Sequence, residues 1–162
     1  MTSTEHLDWR REGPGWPRHG TSRFVQAGDL SWHVQIAGAG PVVVLVHGTA
    51  SSTHSWRDVA TILDGHCTTI AMDLPGHGFT SAPRRSDGWS LRGMARAMGA
   101  LIDVLGQKPA LVVGHSAGAA ILVEAALLGV LVPPRIVSVN GALLPFKGIA
   151  RHMFPALPGC SS

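Results

Sequence analysis

Leu111-Val112-Val113-Gly114-His115-Ser116-Ala117-Gly118-Ala119-Ala120-Ile121-Leu122 is the stretch on which the reading of this chain turns. Four apolar residues, Ala110 to Val113, run into a Gly-x-Ser-x-Gly pentapeptide, and a small-residue helical run, Ala119 to Leu128, leaves it. A serine set between strand and helix in this way sits on a sharp, strained turn that exposes its oxygen above a sheet. Gly114 and Gly118 supply the room for that turn. The backbone N–H of Ala117, at the positive end of the following helix, is placed to meet a developing oxyanion. The plainer alternative is a glycine-rich turn in which Ser116 only caps its helix. The flanking strand and helix favour Ser116 as a nucleophile.

Working outward, a continuous apolar run, Val42 to Val46, has the pattern of a strand buried on both faces. It ends in His47-Gly48-Thr49. Glycine there lets the loop pass close to Ser116, and the N–H of Thr49 is the candidate second oxyanion donor. His47 itself reads as a buried histidine bonded to backbone. A second buried strand, Cys67 to Met72, leads into Asp73-Leu74-Pro75-Gly76-His77-Gly78. Proline and two glycines mark a turn, with Asp73 bonding backbone N–H groups, in preference to a metal site or an acid–base pair with His77.

Between these runs the spacing becomes helical. Ser51 to Leu63 and Leu91 to Leu105 carry apolar residues at helical intervals, and Ser90 is the candidate N-cap of the latter. Ile136 to Val139 is a fourth central strand, and Pro133-Pro134 is expected to end the helix before it. Near the start, Phe24-Val25 and the alternating Leu30 to Ile36 flank a Gly28-Asp29 turn, giving two antiparallel edge strands that feed the central one. The expected fold class is therefore α/β, a mostly parallel sheet with helices on both faces. Residues 1–21 read as an irregular arm, 22–146 as one domain, and 147–162 as an irregular tail.

Composition narrows the function classes. The chain has 162 residues, 45% hydrophobic and only 14% charged, which suits one folded domain and not a disordered one. The net charge of +3 comes from scattered arginines, with no basic run or aromatic-plus-basic motif, so nucleic acid is not an expected partner. Nine histidines show no paired ligand spacing, so no metal is expected. Neither a phosphate-binding loop nor a dinucleotide fingerprint is present, so no cofactor is expected. His33, His54 and His66 read as surface or strand residues. Cys67 and Cys160 give no disulfide framework, and the polar N-terminus lacks a secretory core, which makes the cytoplasm the expected location. The apolar stretch Ala117 to Val132 contains Glu124 and is too short for a membrane span.

His47-Gly48-Thr49, Asp73-Leu-Pro-Gly-His-Gly78 and Gly114-His-Ser-Ala-Gly118, in this order, resemble the α/β-hydrolase fold superfamily over residues 22–146. Phe24-Val-Gln-Ala-Gly28, Ser52-Thr-His-Ser-Trp-Arg-Asp58 and Val139-Asn-Gly-Ala-Leu-Leu-Pro-Phe146 further resemble the magnesium chelatase accessory proteins of bacteriochlorophyll biosynthesis. The resemblance implies Ser116 as nucleophile, with Ala117 and Thr49 as backbone oxyanion donors. It also implies a small-molecule, tetrapyrrole-related substrate and magnesium chelatase as a partner. In that superfamily a histidine base and an acid follow the serine. The forty-six residues after Ser116 hold one acid, Glu124, one histidine, His152, and no aspartate, while Asn140 falls near one of the acid's usual positions. The expectation is thus a truncated, catalytically impaired hydrolase lacking the C-terminal strands and most of the cap, with 147–162 as the cap's start. The alternative is a non-hydrolytic module that binds a porphyrin intermediate or a chelatase subunit, with Leu143, Leu144, Phe146, Met153 and Phe154 available to line its pocket.

Overall fold

The computed structural model describes residues 7–143. His152, the pocket candidates from Leu144 onward and the segment 147–162 lie outside the described residues. Six strands form one sheet in the order β1-β2-β4-β3-β5-β6. They are β1 (Ser22–Ala27), β2 (Leu30–Ala37), β3 (Val42–Val46), β4 (Thr68–Met72), β5 (Pro109–His115) and β6 (Ile136–Val139). β1 pairs antiparallel with β2, and β2 antiparallel with β4. β3, β4, β5 and β6 run parallel to one another. The two leading strands thus do feed the central sheet, through β4. The first is longer than expected because β1 pairs along its whole length with Leu30 to Gln35 of β2 about the Gly28 turn, whose φ is +61°.

Side-chain alternation divides the core into two layers. From β3, Val44 and Val46 point to one face and Val43 and Leu45 to the other; in β4, Ile70 and Met72 oppose Ala71 in the same way. The first face packs against α3 (Leu91–Val104) through Ala95, Met98, Leu101 and Ile102, and against α4 (Ala117–Leu127) through Ile121, Leu122 and Ala125. Trp56 and Ala60, the latter from α2 (Arg57–Leu63), cover the second face. Helices therefore lie on both faces. Each fully buried aliphatic side chain contributes about 1.5–3 kcal/mol, so continuous apolar strands are what a sheet covered twice requires.

Local signals start and stop these helices. The Ser90 hydroxyl accepts a hydrogen bond from Gly93 N–H at 3.0 Å and caps α3 as expected. α4 ends before the prolines. Gly129, with φ +68°, makes a reverse turn in which its own N–H reaches Ala126 O and that of Val130 reaches Ala125 O, each at 3.1 Å. The segment expected to be helical from Ser51 starts instead as a 3₁₀ turn, Thr53–Trp56, capped by Ser52.

The arm expected to be irregular also differs. Asp8 caps the short helix α1 (Trp9–Glu12), and two further helical turns follow up to Thr21. Aromatic packing holds the arm on the sheet: Trp9 and Trp16 both meet Phe79 edge-on, with ring centroids 4.9 and 4.8 Å away. Trp16 Nε1 donates to Thr53 Oγ1 at 3.1 Å.

Candidate active site

β5 and α4 meet at Ser116, whose backbone has φ +51° and ψ −118°. A non-glycine residue held there costs on the order of 1–3 kcal/mol and persists only when its surroundings over-determine it. Here they do. Ser116 N–H donates to Val139 O in β6 at 3.1 Å, and its carbonyl accepts from Ala119 N–H at 3.1 Å and Ala142 N–H at 3.0 Å. The side chain does not cap α4. The capping alternative therefore fails, and the hydroxyl is left free of that duty.

The glycines around it are there for close approach. A Cβ on Gly118 would lie 2.4 Å from Val46 O and 2.5 Å from His47 O, so α4 starts directly against the end of β3. A Cβ on Gly48 would lie 2.9 Å from the Ser116 Cβ. The His47-Gly48-Thr49 loop thus passes against the serine, as its sequence suggested. Ala117 is the first residue of α4, so its N–H has no partner within the helix. Thr49 is exposed in the neighbouring loop.

His47 is completely buried, as expected, and both ring nitrogens are engaged. Leu74 N–H donates to Nε2 at 2.9 Å, so the ring proton resides on Nδ1 and is donated to Gly48 O at 2.7 Å. Burial pushes its pKa down to about 4. The unfolded imidazole titrates near 6.5, so between those values the unfolded chain binds the extra proton. Stability contributed by neutral His47 is full above pH 6.5 and is lost as pH falls towards 4, by roughly 3 kcal/mol. Urea midpoints measured from pH 7 to pH 4.5 are expected to fall steadily; a flat profile would contradict this.

Asp73, the acid of the second loop motif, is fully buried behind this loop. Oδ1 accepts from Thr53 N–H at 2.6 Å and Oδ2 from Phe79 N–H at 3.0 Å. Gly76 and Gly78 take positive φ, so the turn reading holds in both respects. The ring that meets the carboxylate is not that of His77, whose Nδ1 bonds Pro75 O at 3.0 Å. It is His33, with Nδ1 2.7 Å from Oδ2 and Nε2 3.0 Å from Ser22 Oγ. Burial pushes the Asp73 pKa up, but the hydrogen bond from His33 and those from Phe79 and Thr53 outweigh it and hold the carboxyl below its ordinary value. His33 lies on the face of β2 opposite Trp32 and Val34. Trp9 of the arm packs on that ring, with centroids 5.1 Å apart, and Phe79 covers it edge-on at 5.3 Å; the arm's packing is what the sequence alone did not show. The signal was Trp9 and Trp16, two large aromatics in a polar segment.

Of the remaining candidates only Asn140 belongs to a segment bonded to the Ser116 backbone, between Val139 and Ala142. Glu124 pairs with Arg92 at 3.2 Å on the outer side of α4 and α3. Asn140, with φ +46°, turns the chain immediately after β6. His54 bonds Arg57. Cys67 is buried, donates to Leu63 O at 3.3 Å, and has its thiol pKa raised by that burial. Among the described residues, no cluster of three His, Cys, Asp or Glu side chains is arranged to hold a metal ion, and no helix is long and apolar enough to cross a membrane.

Comparison with known proteins adds the family context. The sequence profile of the alpha/beta hydrolase fold matches residues 41–155. The magnesium-chelatase 30 kDa subunit of Rhodobacter capsulatus is 36% identical over 153 residues, which cover 93% of this chain and 53% of that protein. A fluoroacetate dehalogenase from a Burkholderia species is 33% identical over 99 residues, 59% of this chain and 33% of that one. The chain therefore spans about half the length of the first relative and a smaller share of the second. Among solved structures, an epoxide hydrolase from Vigna radiata superposes with a TM-score of 0.69 at 29% identity, over 78% of this chain and 39% of that one.

Proposed function

This chain belongs to the alpha/beta hydrolase fold family, and on that premise we propose that Ser116 is the nucleophile of an acyl-transfer site with the N–H groups of Ala117 and Thr49 as oxyanion donors. The observation that supports it is the strained Ser116 backbone, φ +51°, carrying a hydroxyl that caps nothing. Strain of this size at a polar residue beside a glycine-lined loop serves a site, not a helix start. Ser116 Oγ attacks the carbonyl carbon of an ester-like substrate while a general base takes its proton. The two N–H groups receive the negative oxygen of the tetrahedral intermediate. Collapse of that intermediate expels the alcohol with a proton, and water then hydrolyses the acyl-serine.

The similarity to the Rhodobacter capsulatus chelatase subunit supports magnesium chelatase as partner, and the same proposal takes a tetrapyrrole-related small molecule as substrate, in magnesium-tetrapyrrole synthesis, and a cytoplasmic location. One observation favours a second reading, a binding module without turnover. The rings of His33, His47, His54 and His77 are bonded to groups other than Ser116, so none of these four is placed as its base.

Fluorophosphonate labelling followed by mass spectrometry separates the two readings. An adduct on Ser116, absent in Ser116→Ala, is the expected result. Wild-type protein that stays folded and takes no label would replace the nucleophile reading with the binding module.

A further inference from the structure

We propose that His47 is a positioning residue for the proposed oxyanion site: by holding the Gly48 carbonyl, its ring fixes the plane of the Gly48–Thr49 peptide and so the direction of the Thr49 N–H. This rests on the reading of Thr49 as a donor and extends it to a side chain that does not touch the reacting atoms.

The geometry runs as a chain of constraints. Leu74 N–H, two residues past the end of β4, donates to His47 Nε2 at 2.9 Å, which leaves Nδ1 as the protonated nitrogen. Nδ1–H then donates to Gly48 O at 2.7 Å. A trans peptide is planar, with its C=O and N–H pointing in opposite directions. Fixing the Gly48 oxygen inward on the buried ring therefore directs the Thr49 N–H outward, on the side of the loop away from His47. Nothing in the regular ladders does this instead. β3 ends at Val46, and the loop leaves Thr49 through Ala50 in a left-handed conformation, φ +54°. Gly48 contributes flexibility at the very position that needs to be fixed, because it must lie against the Ser116 Cβ. A protonated ring would lose its acceptor for Leu74, so the device needs neutral imidazole, and burial that pushes the pKa down to about 4 supplies it.

Two conservative variants take the two ring bonds apart. The Asn side-chain amide reaches about as far as Nδ1, so His47→Asn retains the donor to Gly48 and gives up the acceptor for Leu74. Gln reaches about as far as Nε2, so His47→Gln does the reverse. Misplacing a group by about 1 Å can cost on the order of 100-fold in rate. The fluorophosphonate labelling rate of His47→Gln is accordingly expected to fall about 10- to 100-fold, while His47→Asn stays within about threefold of wild type. The Thr49 amide resonance is expected to move in His47→Gln and to stay in place in His47→Asn. Equal losses in both variants, following their melting temperatures, would overturn the inference.

A measurement on the wild type covers the case in which neither variant folds. Proton–nitrogen correlation of the His47 ring is expected to show Nδ1 protonated and Nε2 accepting from pH 7 down to 5. A proton on Nε2, or titration within that range, would overturn the inference. Failure of the underlying reading looks different: the Thr49 amide responds as described while Ser116 takes no label even in the wild type.

Discussion

Asp73→Ala is expected to lower the stability of the chain by about 3–5 kcal/mol, the range for breaking a buried charge-assisted pair by removing one partner. The carboxylate is fully buried and has three partners. Two are backbone N–H groups, of Thr53 and Phe79; the third is the ring of His33. Alanine leaves all three without an acceptor in a place water does not reach, and each unsatisfied buried donor costs about 1–3 kcal/mol. Domains of this size have only about 5–15 kcal/mol in hand. The loss also has a direction, because Thr53 belongs to the capped turn after the Thr49 loop and Phe79 anchors both arm tryptophans. Urea denaturation checks the magnitude, and hydrogen exchange checks the place: protection is expected to fall first in the arm and in residues 49–56. Asp73→Asn retains one acceptor oxygen and should lose less. A midpoint for Asp73→Ala equivalent to less than about 1 kcal/mol would show that the carboxylate is not the anchor described.

Gly118→Ala is the second large effect. The added methyl would meet the carbonyl oxygens of Val46 and His47 at 2.4 and 2.5 Å, and these are backbone atoms of the central strand and its exit. No side chain can swing aside, so α4 and β3 must separate. Overpacking of this kind costs about 1–3 kcal/mol, and with two backbone oxygens in the way the upper end is expected. The separation acts on the site as well. Pushing the end of β3 moves His47 and Gly48 relative to Ser116, so fluorophosphonate labelling should slow by more than the loss of folded protein accounts for. Melting curves and labelling rates on the same samples test this. Wild-type labelling in a destabilised Gly118→Ala protein would mean that the two loops are not coupled through this contact.

How much of this was readable from the residues follows from physical range. Strand β3 was legible because burial on both faces leaves an uninterrupted apolar run, and Ile136–Val139 matches the expected strand end to end although all four of its residues are exposed. The site loops were legible because strained turns admit few residues: glycine at 48, 76, 78, 114 and 118 is a steric statement about each position alone. The roles of Ser90 and His47 could be read for the same local reason. What escaped were matters decided by another part of the chain. His33 read as a surface or strand residue, whereas Trp9 of the arm, Phe79 and Asp73 enclose its ring. Asp73 was rightly given backbone partners, but its ring partner sits forty residues earlier. The stop of α4 was assigned to Pro133-Pro134, whereas Gly129 reverses the chain first because an αL glycine satisfies the helix's last carbonyls at once.

The placement of β3 between β4 and β5 has a consequence for synthesis. Both neighbours of Val42–Val46 come later in the chain, and sixty-three positions separate Val46 from Pro109. At about 5–20 residues per second, that interval lasts on the order of 3–13 s on the ribosome. Throughout it, five consecutive β-branched or leucine residues offer an open hydrogen-bonding edge to any other nascent chain. The strand that sits deepest in the finished sheet is thus the one exposed longest while the sheet is being made. The hairpin of β1 and β2 about Gly28 and the pairing of β4 with β2 and β3 can form beforehand, but they leave that edge of β3 open. Chaperone dependence in this protein should therefore be governed by the arrival of the segment that carries Ser116, and not by the overall length of the polypeptide.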